Sequence, residues 1–354
     1  MSHLFFLMLP LLISMFTALL IVWTQGWHGY LTLDSSSGIQ KIHTDSTPRI
    51  GGVAIFAGLT LAWASCPLEL ATRDYLGSLL LAGTPVFAFG LIEDLTKKVS
   101  VLTRLIAALV SGVLAYYLAN VLIIRLDITP LDPLLQHLWL ALPLTAFAIT
   151  GLTNGINLID GFNGLASGTV IISSIAIACI AQQVGDPVLA QFGALVAAAS
   201  IGFMLVNFPL GKIFLGDSGA YILGFFLACL IIALPMRNPQ VSAWASLLLC
   251  SYPVIETLFS IYRRTIVSKN SLGAPDNSHL HHLIHRKVSQ SSLFGRLSST
   301  HRNSITGLLC LSLPLVAHTA SIYLYSSTIL CALAFFVFVL VYWSAYKILK
   351  AATV

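Results

Sequence analysis

The chain has 354 residues, of which 57% are hydrophobic and only 9% charged, and it carries a net charge of +5. A mean hydropathy of +0.89 excludes an ordinary soluble domain, in which about 25% of residues would be charged. The modest positive charge needs no nucleic acid to explain it, because the inner loops of membrane proteins are basic in any case.

Apolar runs of roughly 17–25 residues recur along the chain, each long enough to cross a hydrocarbon core of about 30 Å. Eleven are legible, at about 5–23, 51–68, 76–92, 101–121, 138–154, 165–183, 189–207, 218–236, 241–262, 305–325 and 328–346. They lack the alternation of barrel strands, and in lipid only helices and closed barrels satisfy their own backbone. The predicted fold is an all-α polytopic membrane protein, a single membrane domain over 1–354 with no internal repeat. The first run has neither the basic flank nor the small-x-small site of a cleaved signal peptide and reads as a span. With the N-terminus outside, only Arg73, Arg125 and Arg237 of the 18 basic residues lie on the outer side, and the C-terminus is cytoplasmic. The six cysteines fall in or beside apolar runs with no CxxC pair, which favours packing over disulfides or metal.

The inner breaks, at about 24–50, 93–100, 155–164, 208–217 and 263–304, hold the polar chemistry. The first contains an Asp-Ser-Ser-Ser-Gly tract and then Pro48-Arg49-Ile50-Gly51-Gly52. The second carries Glu93-Asp94 followed by Lys97 and Lys98. Adjacent carboxylates at a span end are costly unless they hold a cation or pair with the lysines. Between them and the next inner break, the outer stretch Ile123–Ile128 alternates partly and reads as a small surface hairpin.

Further on, Asn154, Asn157 and Asp160 share one helical face, and Gly161 and Gly164 let the chain turn close to a ligand. Polar helix–helix contacts are the competing explanation. Asp217 opens a later span in Phe214-Leu-Gly-Asp217-Ser-Gly, and reads either as a helix N-cap or as a Mg²⁺ ligand. In the long basic loop, His279-x-His281-His282 has His285 close by. That spacing matches no closed zinc site, and cationic histidines suit an anionic, phosphate-bearing ligand. Mg²⁺ prefers few carboxylates together with substrate phosphates, which fits sparse acids from separate loops. No GxxxxGK[ST] loop is present, so ATP hydrolysis is not supported.

Taken in order over about residues 40–290, these motifs resemble the polyprenyl-phosphate N-acetylhexosamine-1-phosphate transferases of glycosyltransferase family 4. The His-x-His-His form is similar to the branch that uses GlcNAc rather than to the lipid I synthases (phospho-MurNAc-pentapeptide transferases), which usually have three consecutive histidines. The resemblance implies transfer of HexNAc-1-phosphate from a UDP-HexNAc to undecaprenyl phosphate, releasing UMP and initiating a lipid-linked cell-envelope glycan. It also implies Mg²⁺, with Mn²⁺ as the substitute, a multi-pass location in the bacterial inner membrane with the site on the cytoplasmic face, and compatibility with a homodimer.

Carried over residue by residue, Asp217 is the principal metal ligand and Asp94 helps to hold metal or phosphate. Glu93 aligns with the candidate base, and Asn157 and Asp160 position the diphosphate and ribose, with Asn207 nearby. Phe214 stacks on uracil, and His279, His281 and His282, with Arg104 and Lys97 or Lys98, neutralise phosphate charge. Two positions depart from the family: Glu93 replaces its usual Asp, and Asn163 replaces its second acid, so base recognition through Asn163 is expected to differ. A membrane transporter, a silent scaffold of the same fold and a lipid I synthase are the alternatives. A transporter predicts acids near mid-span and function on both faces.

Overall fold

The computed structural model describes residues 2–34, 47–267 and 278–352. Lys41 and its neighbours in the first inner loop, and Lys269, Gly273 and Pro275 in the last, lie outside the described residues. In chain order the helices are α1 (Ser2–Trp23), α2 (Gln25–Thr32), α3 (Gly51–Ser65), α4 (Leu70–Ala82), α5 (Thr84–Thr96) and α6 (Val101–Ala119). Then follow α7 (Leu138–Ile159), α8 (Leu165–Val184), α9 (Pro187–Asn207), α10 (Gly216–Arg237) and α11 (Ala243–Leu249). The last are α12 (Ser251–Tyr262), α13 (Leu280–Gln290), α14 (Ser299–Cys310), α15 (Ser312–Leu324) and α16 (Thr328–Ala351). A two-residue antiparallel pair, β1 (Leu33–Asp34) with β2 (Thr47–Pro48), is the sheet among the described residues, with Leu33 opposite Pro48.

The fold is an all-α, multi-span membrane architecture. Among the described residues, eight helices are long and apolar enough to cross a membrane, with α14 and α15 counted as one, and two bent pairs raise the number to ten. Every predicted apolar run falls on a helix or helix pair, but the run near 51–68 forms α3, whose 15 residues make it a shorter apolar helix than the others. The α4–α5 span bends by 45° at Gly83, where Pro85 opens α5, and α11–α12 bends by 76° at Cys250. A proline in the first helical turn removes no needed N–H, so α5 starts cleanly after the break. The turn between α8 and α9 is set by Gly185-Asp186-Pro187, where the Asp186 carboxylate accepts from the Leu189 N–H at 3.2 Å.

At the centre lies α10, buried along almost its whole length and packed against α3, α5, α7 and α8. Around it, α1 packs on α3 and α9, while α16 closes the far side against α11 and α15. Cys179 is exposed, and the other five cysteines are free and buried.

The hairpin expected at 123–128 does not form. This stretch is extended coil wedged between span ends: the Ile123 N–H donates to Thr145 Oγ1 at 2.9 Å. Arg125 Nη2 donates to the carbonyls of Pro235 at 2.9 Å and Val241 at 2.6 Å, and Asp127 accepts from Ser242 Oγ and the Ala243 N–H. The terminal carbonyls of α10 have no partner within their own helix, and the guanidinium supplies one. That demand, rather than alternation, sets the local path.

Candidate active site

Four span ends converge at one end of the bundle: the N-termini of α3 and α10 and the C-termini of α5 and α7. The approach of α3 to α10 is backbone to backbone. A Cβ on Gly52 would lie 2.3 Å from the Gly219 nitrogen, so only glycine fits. Phe214 donates its N–H to the Pro48 carbonyl at 2.8 Å, and Gly51 returns one to the Phe214 carbonyl at 3.0 Å. Gly216 then turns the chain into α10 with φ of +72°.

Asp94 occupies the centre of this junction at 0% exposure. Its Oδ1 accepts from the Asp217 N–H at 2.8 Å and Arg49 Nε at 3.2 Å. Its Oδ2 accepts from the Ser218 N–H at 2.9 Å and Ser218 Oγ at 2.6 Å. A carboxylate on the first-turn N–H groups of α10 satisfies orphan donors and faces the positive end of the helix dipole. The cap of α10 is therefore Asp94 from another helix, which corrects the N-cap reading of Asp217. The Asp217 side chain points to Arg104 Nη1, to Asn157 Nδ2 at 3.2 Å and to Arg49 Nη2 at 3.5 Å.

A cavity of about 440 Å³ opens beside this junction. Asp34, Arg49, Asn157, Asp160, Phe162, Asn163, Asn207, Phe214, Asp217, Arg264, His279, His281 and His282 line it. Asp160 ends α7 and is half-buried, with no hydrogen bond or ion pair from its carboxylate among the described residues. Desolvation pushes its carboxyl up to about 8, and the carboxylates of Asp217 and Asp94 add to this against Arg49. Two carboxylates thus line the cavity, Asp217 ion-paired and Asp160 without a bonded partner among the described residues, a donor set that fits a divalent cation taking its remaining ligands from phosphate and water.

The histidine segment at the start of α13 also lines the cavity. His281 is 1% exposed, stacks on His279 at 5.2 Å and meets His282 at 4.6 Å. Phe162 packs against His281, His282 and His285. Burial holds His281 well below the ordinary imidazole range, with His282, His279 and Arg263 adding to it. At this ring desolvation works against the positive charge expected of the histidines. The Nδ1 of His281 has no hydrogen-bond partner among the described residues.

Several expected site residues stand elsewhere. Glu93, Asp94, Lys97, Lys98 and Arg104 do not line the cavity. Glu93 Oε2 accepts from the Val99 N–H at 2.8 Å, closing the end of α5. Lys97 donates to the Leu33 carbonyl at 3.1 Å and lies 3.9 Å from Asp34, so it bridges neither Glu93 nor Asp94. Arg104 pairs with Asp217, which lines the cavity.

Asn207 and Asn163 reach the cavity wall, but both side chains are tied into the protein. Asn207 donates to the Ile213 carbonyl at 2.7 Å and accepts from the Gly164 N–H at 2.8 Å. Asn163 Nδ2 donates to Ser304 Oγ at 3.2 Å, and its N–H to Asn303 Oδ1 at 2.7 Å. Asn154 bonds back to the Thr150 carbonyl at 2.8 Å and does not line the cavity. Of the two glycines, Gly164 takes a positive φ of +75° and Gly161 does not.

Sequence reasoning passed over Arg49, Asp34, Phe162, Arg264 and Glu256. Arg49 was visible inside the Pro48–Gly52 motif, and it ties Asp94, Asp217 and, at 3.9 Å, Asp34 together. Glu256 was visible as a carboxylate inside an apolar run, a placement that in membranes points to function.

The glycosyl transferase family 4 profile matches residues 76–235. The chain is 31% identical over 309 residues to a Bacillus subtilis (strain 168) protein named probable undecaprenyl-phosphate N-acetylglucosaminyl 1-phosphate transferase, covering 85% of this chain and 80% of that relative. It is 29% identical over 251 residues to the Thermotoga maritima undecaprenyl-phosphate alpha-N-acetylglucosaminyl 1-phosphate transferase, covering 70% and 72% respectively. It is also 27% identical over 240 residues to the phospho-N-acetylmuramoyl-pentapeptide-transferase of Chlamydia trachomatis, covering 61% and 70%.

Proposed function

The chain belongs to glycosyl transferase family 4, and from that premise we propose that it transfers GlcNAc-1-phosphate, or that of a related HexNAc, from a UDP-sugar to undecaprenyl phosphate. UMP is the second product. The observation that carries this reading is one cavity lined by Asp160 and Asp217 together with His279, His281, His282 and Arg264. Attack of one phosphate anion on another is opposed by charge repulsion, so catalysis depends on positioning and on fixed positive charge.

Asp217 and Asp160 would hold Mg²⁺, which when bound supplies Lewis-acid neutralisation of the diphosphate oxygens. Arg49 and Arg104 fix the Asp217 carboxylate in place, and Asn157 orients it through the 3.2 Å bond. Asp94 holds α10 in register so that Asp217 faces the cavity. Arg264 contributes positive charge, the histidines hydrogen-bond donors, and Phe214 and Phe162 flat apolar surfaces for a base or sugar face. Undecaprenyl phosphate would reach the cavity from the bilayer, its chain in lipid and its phosphate at the span ends.

Completing the reading, eleven spans with the N-terminus outside would put this cavity on the cytoplasmic face of a bacterial inner membrane. Purified enzyme with Mg²⁺, undecaprenyl phosphate and a panel of labelled UDP-HexNAc donors tests the function. The panel includes UDP-MurNAc-pentapeptide. Lipid-linked label with UDP-GlcNAc or a related donor, lost in Asp217→Asn, supports the reading. Label only from the pentapeptide donor would make it a lipid I synthase, and no label from any donor would sink the transferase.

A further inference from the structure

Glu256 lies within α12 and is 1% exposed. A carboxylate taken out of water is costly unless its oxygens are matched by donors. Its partners come from two distant elements. Tyr342 of α16 donates its hydroxyl to Oε2 at 2.9 Å, the Leu280 N–H donates to Oε1 at 3.2 Å, and His279 Nδ1 lies 2.9 Å from Oε1. Because the carboxylate accepts, Nδ1 carries the proton in this pair, and Nε2 is the nitrogen on the far side of the ring. His279 lines the cavity.

A second tie runs parallel to the first. Arg263 donates to the Ser278 carbonyl and, at 3.1 Å, to the Tyr346 hydroxyl. Tyr342 and Tyr346 are four residues apart and share one face of α16. The last span therefore holds Glu256 and Arg263, and these two residues in turn hold the segment Ser278–Leu280, although α16 lies outside the residues that the family profile matches.

We propose that Glu256 is a positioning residue for His279: it fixes the ring's tautomer and orientation so that the imidazole meets the phosphates of a sugar nucleotide. This rests on the function proposed above. A tie needed only for folding would be served by Tyr342 and the Leu280 N–H. The Glu256 carboxylate also engages the one side chain of this segment that faces the ligand space next to α12. Carboxylate–histidine pairs of this kind set which ring nitrogen is presented.

The test is a cycle of Glu256→Gln, His279→Ala and the double variant, with kcat and KM for the UDP-sugar donor measured on purified enzyme. The expected result is a loss in kcat/KM of about tenfold or more for Glu256→Gln in the wild-type background. In the His279→Ala background the same change should cost less than about twofold, because Glu256 acts through that ring. Equal losses in both backgrounds, or none in either, would overturn the proposal. Should Glu256→Gln fail to fold, Tyr342→Phe removes one hydroxyl and runs the same cycle, with a smaller loss that again vanishes without His279. A wild-type enzyme inactive with every donor would instead overturn the transferase reading, and this inference with it.

Discussion

At Asp94 a carboxylate within an α5 span end holds the start of another helix, and at Asp217 that helix turns its own carboxylate to the cavity. Four donors converge on Asp94, so an amide there must point its NH₂ at an N–H or a hydroxyl. Asp94→Asn is therefore expected to lower folding stability by about 3 kcal/mol, read as a fall in the thermal midpoint in detergent. Asp217→Asn should cut turnover by about 100-fold or more with a smaller change in the midpoint. Equal effects of the two variants on stability would contradict the division of labour.

His281 gives a pH prediction. Its folded proton affinity is depressed, so its contribution to stability is present above the ordinary value of 6.5 and is lost as pH falls below it. The thermal midpoint should fall between pH 7.5 and 5.5, and fall less steeply in His281→Gln; parallel curves would contradict this. Residue types and spacing revealed most of the cavity's lining. They did not reveal which carboxylate faces it, because Glu93, Asp94, Asp160 and Asp217 look alike in sequence and differ only in which donors the packing brings to them. Arg49 and Glu256 were passed over because their roles lie in contacts with residues far along the chain.

At the scale of elements, the α10 start shows how a local turn sets the site. A Cβ on Gly216 would sit 1.9 Å from the Arg49 carbonyl oxygen and 2.7 Å from Asp94 Oδ2, in a backbone conformation that side chains avoid. Gly216→Ala should cost about 3 kcal/mol or more and reduce the yield of folded protein. Gly151→Ala, with nothing within 4 Å, should change stability by less than about 1 kcal/mol and serves as the control. Comparable losses would argue against a close-packed junction. Helix positions were legible from apolar runs because lipid leaves the backbone little choice. The stretch near 123–128 was misread because its partial alternation serves span-end carbonyls instead of a ladder. The bends at Gly83 and Cys250 were not visible either, since hydropathy is continuous across them.

Across the whole molecule, composition alone revealed the membrane class, and the basic residues supplied an orientation. In sealed vesicles, on a background without the native cysteines, Gln290→Cys should react with an impermeant thiol reagent only from the cytoplasmic side. Gln240→Cys should react only from the opposite side. The reverse pattern would invert the proposed topology and move the cavity to the other face. Clustering of the site residues at one bundle end also weighs against a transport path, which would need a comparable set beyond mid-span.

Whether a whole sugar phosphate or a bare sugar moves to the lipid is decided by the nucleotide released. With UDP-GlcNAc or the preferred HexNAc donor, undecaprenyl phosphate and Mg²⁺, UMP is expected in equal amount to a lipid diphosphate sugar. Release of UDP, or donor consumption independent of the lipid phosphate, would contradict it.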